Sequence, residues 1–349
     1  KSTMSVIKVA MLSTFALDFF TTLAIAILAV FLGLRLINGH ILLFPALAIL
    51  ILAPEYFLPI RNFASDYHAT LNGKNSFHAV RRILEMPLPK RPTVELHQWT
   101  GVDKLSLENV EFMYPQNGSE LTNLDLTVKG NQKIGIIGMS GAGKTTLINL
   151  LSGFLAPTSG QITIQGKKVT TLDIHDWQKQ ILYIPQTPYI FADTLKNNIA
   201  FYTPNVSEDK IKEAIHVVGL DNLVAELPQG LETMIGSGHR ALSGGQAQRI
   251  ALARAFLDPE RRVMIFDEPT AHLDIETELE LKKRMLPLME NRLVFFATHR
   301  LHWMKQMDYI LVLKNGKLIE QGTYQQLLDE HGYFTELMDQ TRGKEITHE

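Results

Sequence analysis

The chain has 349 residues, enough for two domains. Its 34 basic and 36 acidic side chains leave a formal charge of −2, so no global field draws it to nucleic acid, and it has no basic aromatic motif of the kind single-strand binders use. It has no cysteine, which excludes disulfides, zinc knuckles and thiolate haem ligation within the chain.

Apolar residues are concentrated at the beginning. Val9 to Leu34 contains Asp18 as its only charge, and Ile41 to Ile60 contains only Glu55. Either segment, as a helix, can cross a hydrocarbon core of roughly 30 Å; two buried helices of a soluble core are the plain alternative. Arg35 to His40 would form a short exterior turn. Arg61, Lys74, Arg81, Arg82, Lys90 and Arg91 follow the second span against only Asp66 and Glu85, which assigns that flank to the cytoplasm, in agreement with Lys1 and Lys8 at the other end. Asp18 shares a helical stripe with Ser13, Thr14, Thr21 and Thr22, as expected of a face turned toward other spans or toward a polar substrate. Glu55 is expected either to pair with Arg61 or to serve as a polar site in the membrane. The chain starts at Lys1 with no cleavable signal pattern, and we read it as the C-terminal part of a longer protein.

From Asn62 to about Glu85, the residues Phe63, Tyr67, Leu71, Phe77, Val80 and Leu84 recur mostly at helical spacing, so a helix should continue into the cytosol. Three prolines between Met86 and Pro92 end it and mark the linker. A membrane part over 1–92 is therefore expected to precede an α/β domain over 103–340 and a polar, fraying tail over 341–349. Strand-like alternation covers Leu105 to Tyr114 and Leu121 to Val128, and strand and helix signals then alternate to about Leu337. This pattern predicts a largely parallel sheet.

Gly138 to Thr145 is a full match to G-x-x-x-x-G-K-[ST], between an apolar strand, Lys133 to Ile137, and a helix-like run, Thr146 to Leu151. At Gly138, Ser140, Gly141 and Gly143 the backbone N–H groups can wrap phosphates, with Thr146 in the helix behind. Lys144 would reach the β- and γ-phosphates of ATP and Thr145 would ligate Mg²⁺. A second apolar run, Arg262 to Phe266, delivers Asp267 and Glu268 at its carboxyl end. There Asp267 would hold Mg²⁺ and Glu268 would act as general base toward water. Two adjacent carboxylates in isolation read as plain surface charge; the strand and the phosphate loop argue otherwise.

The order of these residues from about Leu105 to Leu337 resembles the ABC transporter family, a P-loop α/β ATP-binding fold. The resemblance implies that Tyr114 stacks on adenine. It implies that Gln186, in Ile184-Pro185-Gln186, senses Mg²⁺ and water and couples to the membrane domain. Ser243, Gly244, Gly245 and Gln246 correspond to the signature that covers the nucleotide of a partner subunit, Asp274 to a loop crossing the dimer interface, and His299 to a switch histidine near the γ-phosphate. Hydrolysis would then need two such domains closing face to face. Gly236-Ser237-Gly238-His239 lacks the glutamate that exporters commonly carry there.

Leu52-Ala53-Pro54-Glu55-Tyr56-Phe57-Leu58-Pro59-Ile60-Arg61 with the following Tyr67-His68 resembles the CydD family of half-transporters, which pair with CydC. The resemblance makes the two spans the last pair of a larger membrane domain. It implies export of cysteine or glutathione across a bacterial plasma membrane for cytochrome bd assembly, in a heterodimer with a CydC-like half. A haem, lipid or peptide exporter is the alternative, as is haem ligation by Tyr67 and His68 in place of helix packing. A soluble ATPase acting on nucleic acid or ribosomes is the alternative from another class, and the two apolar segments speak against it.

Overall fold

The computed structural model describes residues 2–86, 91–115, 120–271, 273 and 275–346. The chain divides into two compact units, Lys1–Pro89 and Lys90–Glu349.

The first unit is a helical hairpin of α1 (Ser2–Ile37) and α2 (Leu43–Leu84). Both helices are longer than the apolar segments that mark them. Arg35 to Ile37, expected in the turn, complete α1, and α2 runs on through Pro54 and Pro59 for 42 residues, about 63 Å at 1.5 Å per residue. Phe15–Ile37 is long and apolar enough to cross a membrane, with mean hydropathy 2.3. The apolar part of α2, Leu43–Pro59, is shorter, because Ile41 and Leu42 lie before the helix; by this measure there is one clear span where the sequence suggested two. Phe15, Phe20, Ile27, Val30 and Phe31 are exposed, which is not how a helix of a soluble core is buried. The Thr22 hydroxyl bonds back to the Asp18 carbonyl at 2.8 Å. The side chains of Ser13, Thr14, Arg61 and His68 lie outside the described residues, and with them the expected Glu55–Arg61 pair.

The second unit begins earlier than residue 103. Trp99 is buried, meets Trp177 edge to face at 5.7 Å and donates from Nε1 to the Gly130 carbonyl, so the extended segment before the first strand belongs to this unit. Then come β1 (Lys104–Met113), β2 (Glu120–Lys129), β3 (Lys133–Ile137), α3 (Lys144–Leu151), β4 (Ser159–Ile164), β5 (Lys167–Val169), α4 (His175–Lys179) and β6 (Ile181–Ile184). A small lobe follows with β7 (Asp193–Thr194), α5 (Leu195–Ile199), α6 (Glu208–Val218), α7 (Asp221–Glu226), β8 (Met234–Ile235) and α8 (Gly244–Leu257). The chain closes with β9 (Val263–Asp267), α9 (Ile275–Met289), β10 (Leu293–Ala297), β11 (Tyr309–Lys314), β12 (Lys317–Gly322), α10 (Tyr324–Asp329) and α11 (Tyr333–Ile346). Residues 341–346, expected to fray, continue α11, whose first turns are anchored by buried Phe334 and Leu337.

The main sheet has the order β12-β11-β3-β10-β9-β6, parallel except at β12. The expected parallel sheet is thus present. The alternating strands β1 and β2 instead build a separate antiparallel sheet, β2-β1-β4-β5. Successive side chains of a strand point to opposite faces, so the apolar runs of β9 and β10 feed two cores. Met264, Phe266, Val294 and Phe296 pack with α8 and α9, while Val263, Ile265, Leu293 and Phe295 pack with α3 and the antiparallel sheet. Each such fully buried side chain contributes roughly 1.5–3 kcal/mol.

Candidate active site

The strand order decides where the chemistry gathers. Four neighbouring parallel strands end on one edge, β3 in the phosphate loop, β10 before His299, β9 in Asp267 and Glu268, and β6 before Gln186. The register ties them closely: Glu268 N donates to the Ala297 carbonyl at 2.8 Å, and Thr298 N to the Ile136 carbonyl at 3.0 Å. The carboxyl edge of an open parallel sheet is where such folds bind ligands.

The glycines of the loop are required by geometry at two positions. A Cβ on Gly138 would stand 2.4 Å from the Leu313 carbonyl oxygen, and one on Gly143, at φ +103°, would stand 2.8 Å from Leu121 Cδ2. Gly143 is also the N-cap of α3 and offers no side chain to its first turn, so those N–H groups are not capped from within and fit an anion.

Lys144 is buried, and its ammonium donates to the Gly138 carbonyl at 2.9 Å and the Met139 carbonyl at 3.3 Å. It also lies 3.6 Å from Glu268 Oε1. The other oxygen of Glu268 pairs with His299 Nδ1. Residue 268 holds φ +52°, a costly conformation for a side chain of this type, and it aims the carboxylate between Lys144 and His299. Thr145 Oγ1 donates to Asp267 Oδ1 at 3.4 Å. Among the described residues no group of three or more His, Cys, Asp or Glu is arranged to hold a metal ion by itself. A cation at Thr145 and Asp267 would therefore complete its shell with phosphate oxygens and water, as Mg²⁺ does.

The two carboxylates are driven apart. Burial raises Asp267 above the usual carboxylate range, against the Thr145 hydrogen bond. Burial pushes Glu268 up as well, but His299 and Lys144 together outweigh it and hold Glu268 below 4.5. The hydrogen bond to Glu268 raises His299 above 6.5. The sign follows for each partner. The His299 share of the pairing energy is fully present below pH 6.5 and is lost as pH rises through its raised value; the Glu268 share is present above pH 4.5 and is lost as pH falls through its lowered value. An NMR titration of the full chain should therefore give His299 a midpoint above 6.5 that drops in Glu268→Gln. A midpoint at or below 6.5 with Glu268 intact refutes the pairing.

A cleft of about 550 Å³ opens here, lined by Gly138, Ser140, Lys144, Gln186, Glu268 and His299. Gly141, Gly143, Thr145 and Thr146 lie on the same loop and the first turn of α3 without lining it. Met139, Leu301, Leu337 and Gln340 also line the cleft and were not foreseen; the last two come from α11, distant in sequence and without a local motif. Tyr114 does not line it: half-buried, it packs edge to face on Phe112 at 4.7 Å. Ser243, Gly244, Gly245 and Gln246 do not line it either. They open α8, where Gln246 N donates to Ser243 Oγ and Ser243 N to Gln246 Oε1, a reciprocal cap on an exposed helix end. His272 and Asp274 lie outside the described residues. A larger hollow of about 690 Å³, between Leu96, Lys179, Tyr202 and Glu260, shares no residue with the cleft, and its Arg261 and Asp258 pair with each other.

Residues 121–271 match the family model described as ABC transporter. The chain is 54% identical over 345 residues, 99% of its length and 60% of the relative's, to the glutathione/L-cysteine transport system ATP-binding/permease protein CydC of Bacillus subtilis. It is 34% identical over 348 residues, 96% of its length and 58% of the relative's, to the protein of the same transport system named CydD in Escherichia coli. A bacterial Atm1-family ABC exporter with ATP bound superimposes with a TM-score of 0.68 at 26% identity, over 95% of this chain and 58% of that one. The chain thus spans 58–60% of the length of these relatives.

Proposed function

This chain belongs to the ABC transporter family, and we propose that it is the ATP-hydrolysing half of a CydC/CydD-type exporter of cysteine or glutathione. The observation that carries the reading is the meeting of Lys144, Glu268 and His299 at one sheet edge, in a chain 54% identical to a protein named for this transport.

In this reading Gly138, Ser140, Gly141, Gly143 and Thr146 line up the backbone around the phosphates, and Lys144 turns from the carbonyls of Gly138 and Met139 to the more negative β- and γ-phosphates. Thr145, Asp267 and Gln186 hold Mg²⁺, which when bound neutralises charge on the phosphates. Glu268, ionised at neutral pH, accepts the proton of the attacking water, and His299 fixes the direction of its carboxylate. Ser243 to Gln246 stand apart from the cleft of their own chain. As an exposed helix N-terminus they suit the γ-phosphate of a nucleotide held by a second ATP-binding domain, with Asp274 crossing between the two. Tyr114 contributes its ring to adenine. Closing of the two domains then drives the membrane helices between inward and outward access.

The exposed apolar face of α1 supports a place in a membrane, here the bacterial plasma membrane. The basic residues that follow the apolar part of α2 support a multi-pass arrangement with the ATP-binding domain in the cytoplasm only together with the likeness to the exporter family. The partner is the complementary half. The run from Leu52 to Arg61 resembles CydD, but identities of 54% to the CydC protein and 34% to the CydD protein favour the reverse assignment within the same pair, a CydC-like chain with a CydD-like partner.

The direct test is ATP-dependent uptake of labelled cysteine and glutathione into inside-out vesicles holding the full-length chain with its partner, with Glu268→Gln as blank. Uptake should occur with wild type and vanish in the blank. Vigorous ATP hydrolysis without uptake of either thiol would reject the thiol reading and turn attention to haem or lipid.

A further inference from the structure

Behind the cleft, Glu278 stands in the first turn of α9 on the stripe that carries Leu281, Met285 and Met289. A carboxylate thus occupies a position where the helix otherwise buries apolar side chains, and it is only 1% exposed. Its neighbours converge from two segments. Thr270 Oγ1 and Trp303 Nε1 each donate to Oε1 at 2.7 Å, and Arg300 Nη1 donates to Oε2. His302 Nε2 lies 3.4 Å from Oε1. Arg300 also donates from Nη2 to the Leu273 carbonyl at 2.9 Å. One turn further along α9, Lys282 Nζ donates to the His302 carbonyl at 2.7 Å and sits 5.2 Å from the centre of the Trp303 ring.

Thr270 and Leu273 belong to the segment that begins with Glu268; Arg300, His302 and Trp303 belong to the one that begins with His299. A buried ion pair adds little stability over apolar packing of the same volume, but it enforces direction, because removing either partner leaves a charge stranded. We propose that Glu278 is the positioning residue of the hydrolytic site. It clamps the two loops to one carboxylate, sets Glu268 against His299, and fixes the path of the loop at Leu273. This rests on the reading of Glu268 and His299 as the hydrolytic pair.

Glu278→Gln keeps an acceptor for Thr270 and Trp303 but removes the charge that faces Arg300. Thr270→Val deletes one donor with little change of shape, and Trp303→Phe deletes the other together with part of a buried ring that packs on Phe296. The experiment measures ATP turnover and binding of a fluorescent ATP analogue on the assembled transporter in proteoliposomes. A misplacement of about 1 Å can cost on the order of 100-fold. Glu278→Gln should accordingly lower kcat roughly ten- to hundredfold with KM and analogue affinity within about twofold, and the single-donor variants should lower kcat less. Combining Glu278→Gln with Trp303→Phe should cost no more than Glu278→Gln alone, since both act through one unit. Wild-type kcat in folded variants, or equal losses of binding and turnover, overturn the proposal. If Glu278→Gln does not fold, Thr270→Val and Trp303→Phe decide: lowered kcat at unchanged KM supports the clamp, and unchanged kcat refutes it. Glu268→Gln measured alongside separates the two ideas. Turnover retained there removes the hydrolytic pair itself, whereas turnover lost there with normal kcat in the Glu278 series removes only the clamp.

Discussion

Glu268→Gln should lower ATP turnover of the assembled transporter by roughly 10²–10⁴-fold, the usual contribution of a positioned general base. Nucleotide affinity should persist. Gln has nearly the same shape, so it can occupy the left-handed backbone position at 268 that Glu already tolerates, and its amide oxygen can still accept from His299 Nδ1. What it cannot do is take a proton from water. Lys144 loses an ionic partner 3.6 Å away but keeps the carbonyls of Gly138 and Met139, and the phosphates remain its strongest acceptors. With binding intact and hydrolysis blocked, the two ATP-binding domains should stay closed, so the variant should also retain labelled ATP through gel filtration better than wild type. Turnover within about tenfold of wild type would exclude Glu268 as the base.

Lys144→Ala should instead fail at the binding step. A charge-assisted hydrogen bond is worth about 1.5–3 kcal/mol, so losing the ammonium should weaken ATP roughly ten- to hundredfold. The position is buried, which strengthens the effect, because water cannot replace the missing charge. A second consequence concerns Glu268. One of the cations that hold its carboxylate below 4.5 disappears, and burial then acts against fewer opponents, so its pKa should rise. Equilibrium binding of a fluorescent ATP analogue checks the first effect. Normal affinity in Lys144→Ala would refute the assignment of the phosphate loop.

Local patterns carried much of this molecule. The run Lys133 to Ile137 is a strand, the loop after it has Gly138 and Gly143 where a Cβ would strike backbone or a packed leucine, and the carboxylates at 267 and 268 end a strand. These features are legible because each depends on neighbours within a few residues: apolar alternation, a turn only glycine can make, a helix start. The two long helices were legible for the same reason, and so was the end of α2, expected at about Glu85 and found at Leu84; the end of α1 was not. Local patterns mark helix boundaries only to within a residue or two, and α1 takes in Arg35 to Ile37 although Ile37 is exposed, while α11 extends to Ile346.

What the sequence by itself determined is the inventory: a phosphate loop, a carboxylate pair, a signature-like helix start and an apolar N-terminal hairpin. The tertiary structure alone decided which of these meet. Strand order, not sequence order, places β10 between β3 and β9, and so brings His299 onto Glu268 across thirty-one positions of chain. It left Tyr114 and Ser243 to Gln246 outside the cleft that Lys144 lines. Glu278 carried one local hint, a charge on the apolar stripe of α9, but its partners arrive from loops 8 and 22 to 25 residues away. Periodicity records which face of an element is buried; it holds no record of which other element covers that face, because that choice is made by packing between strands and helices distant in the chain.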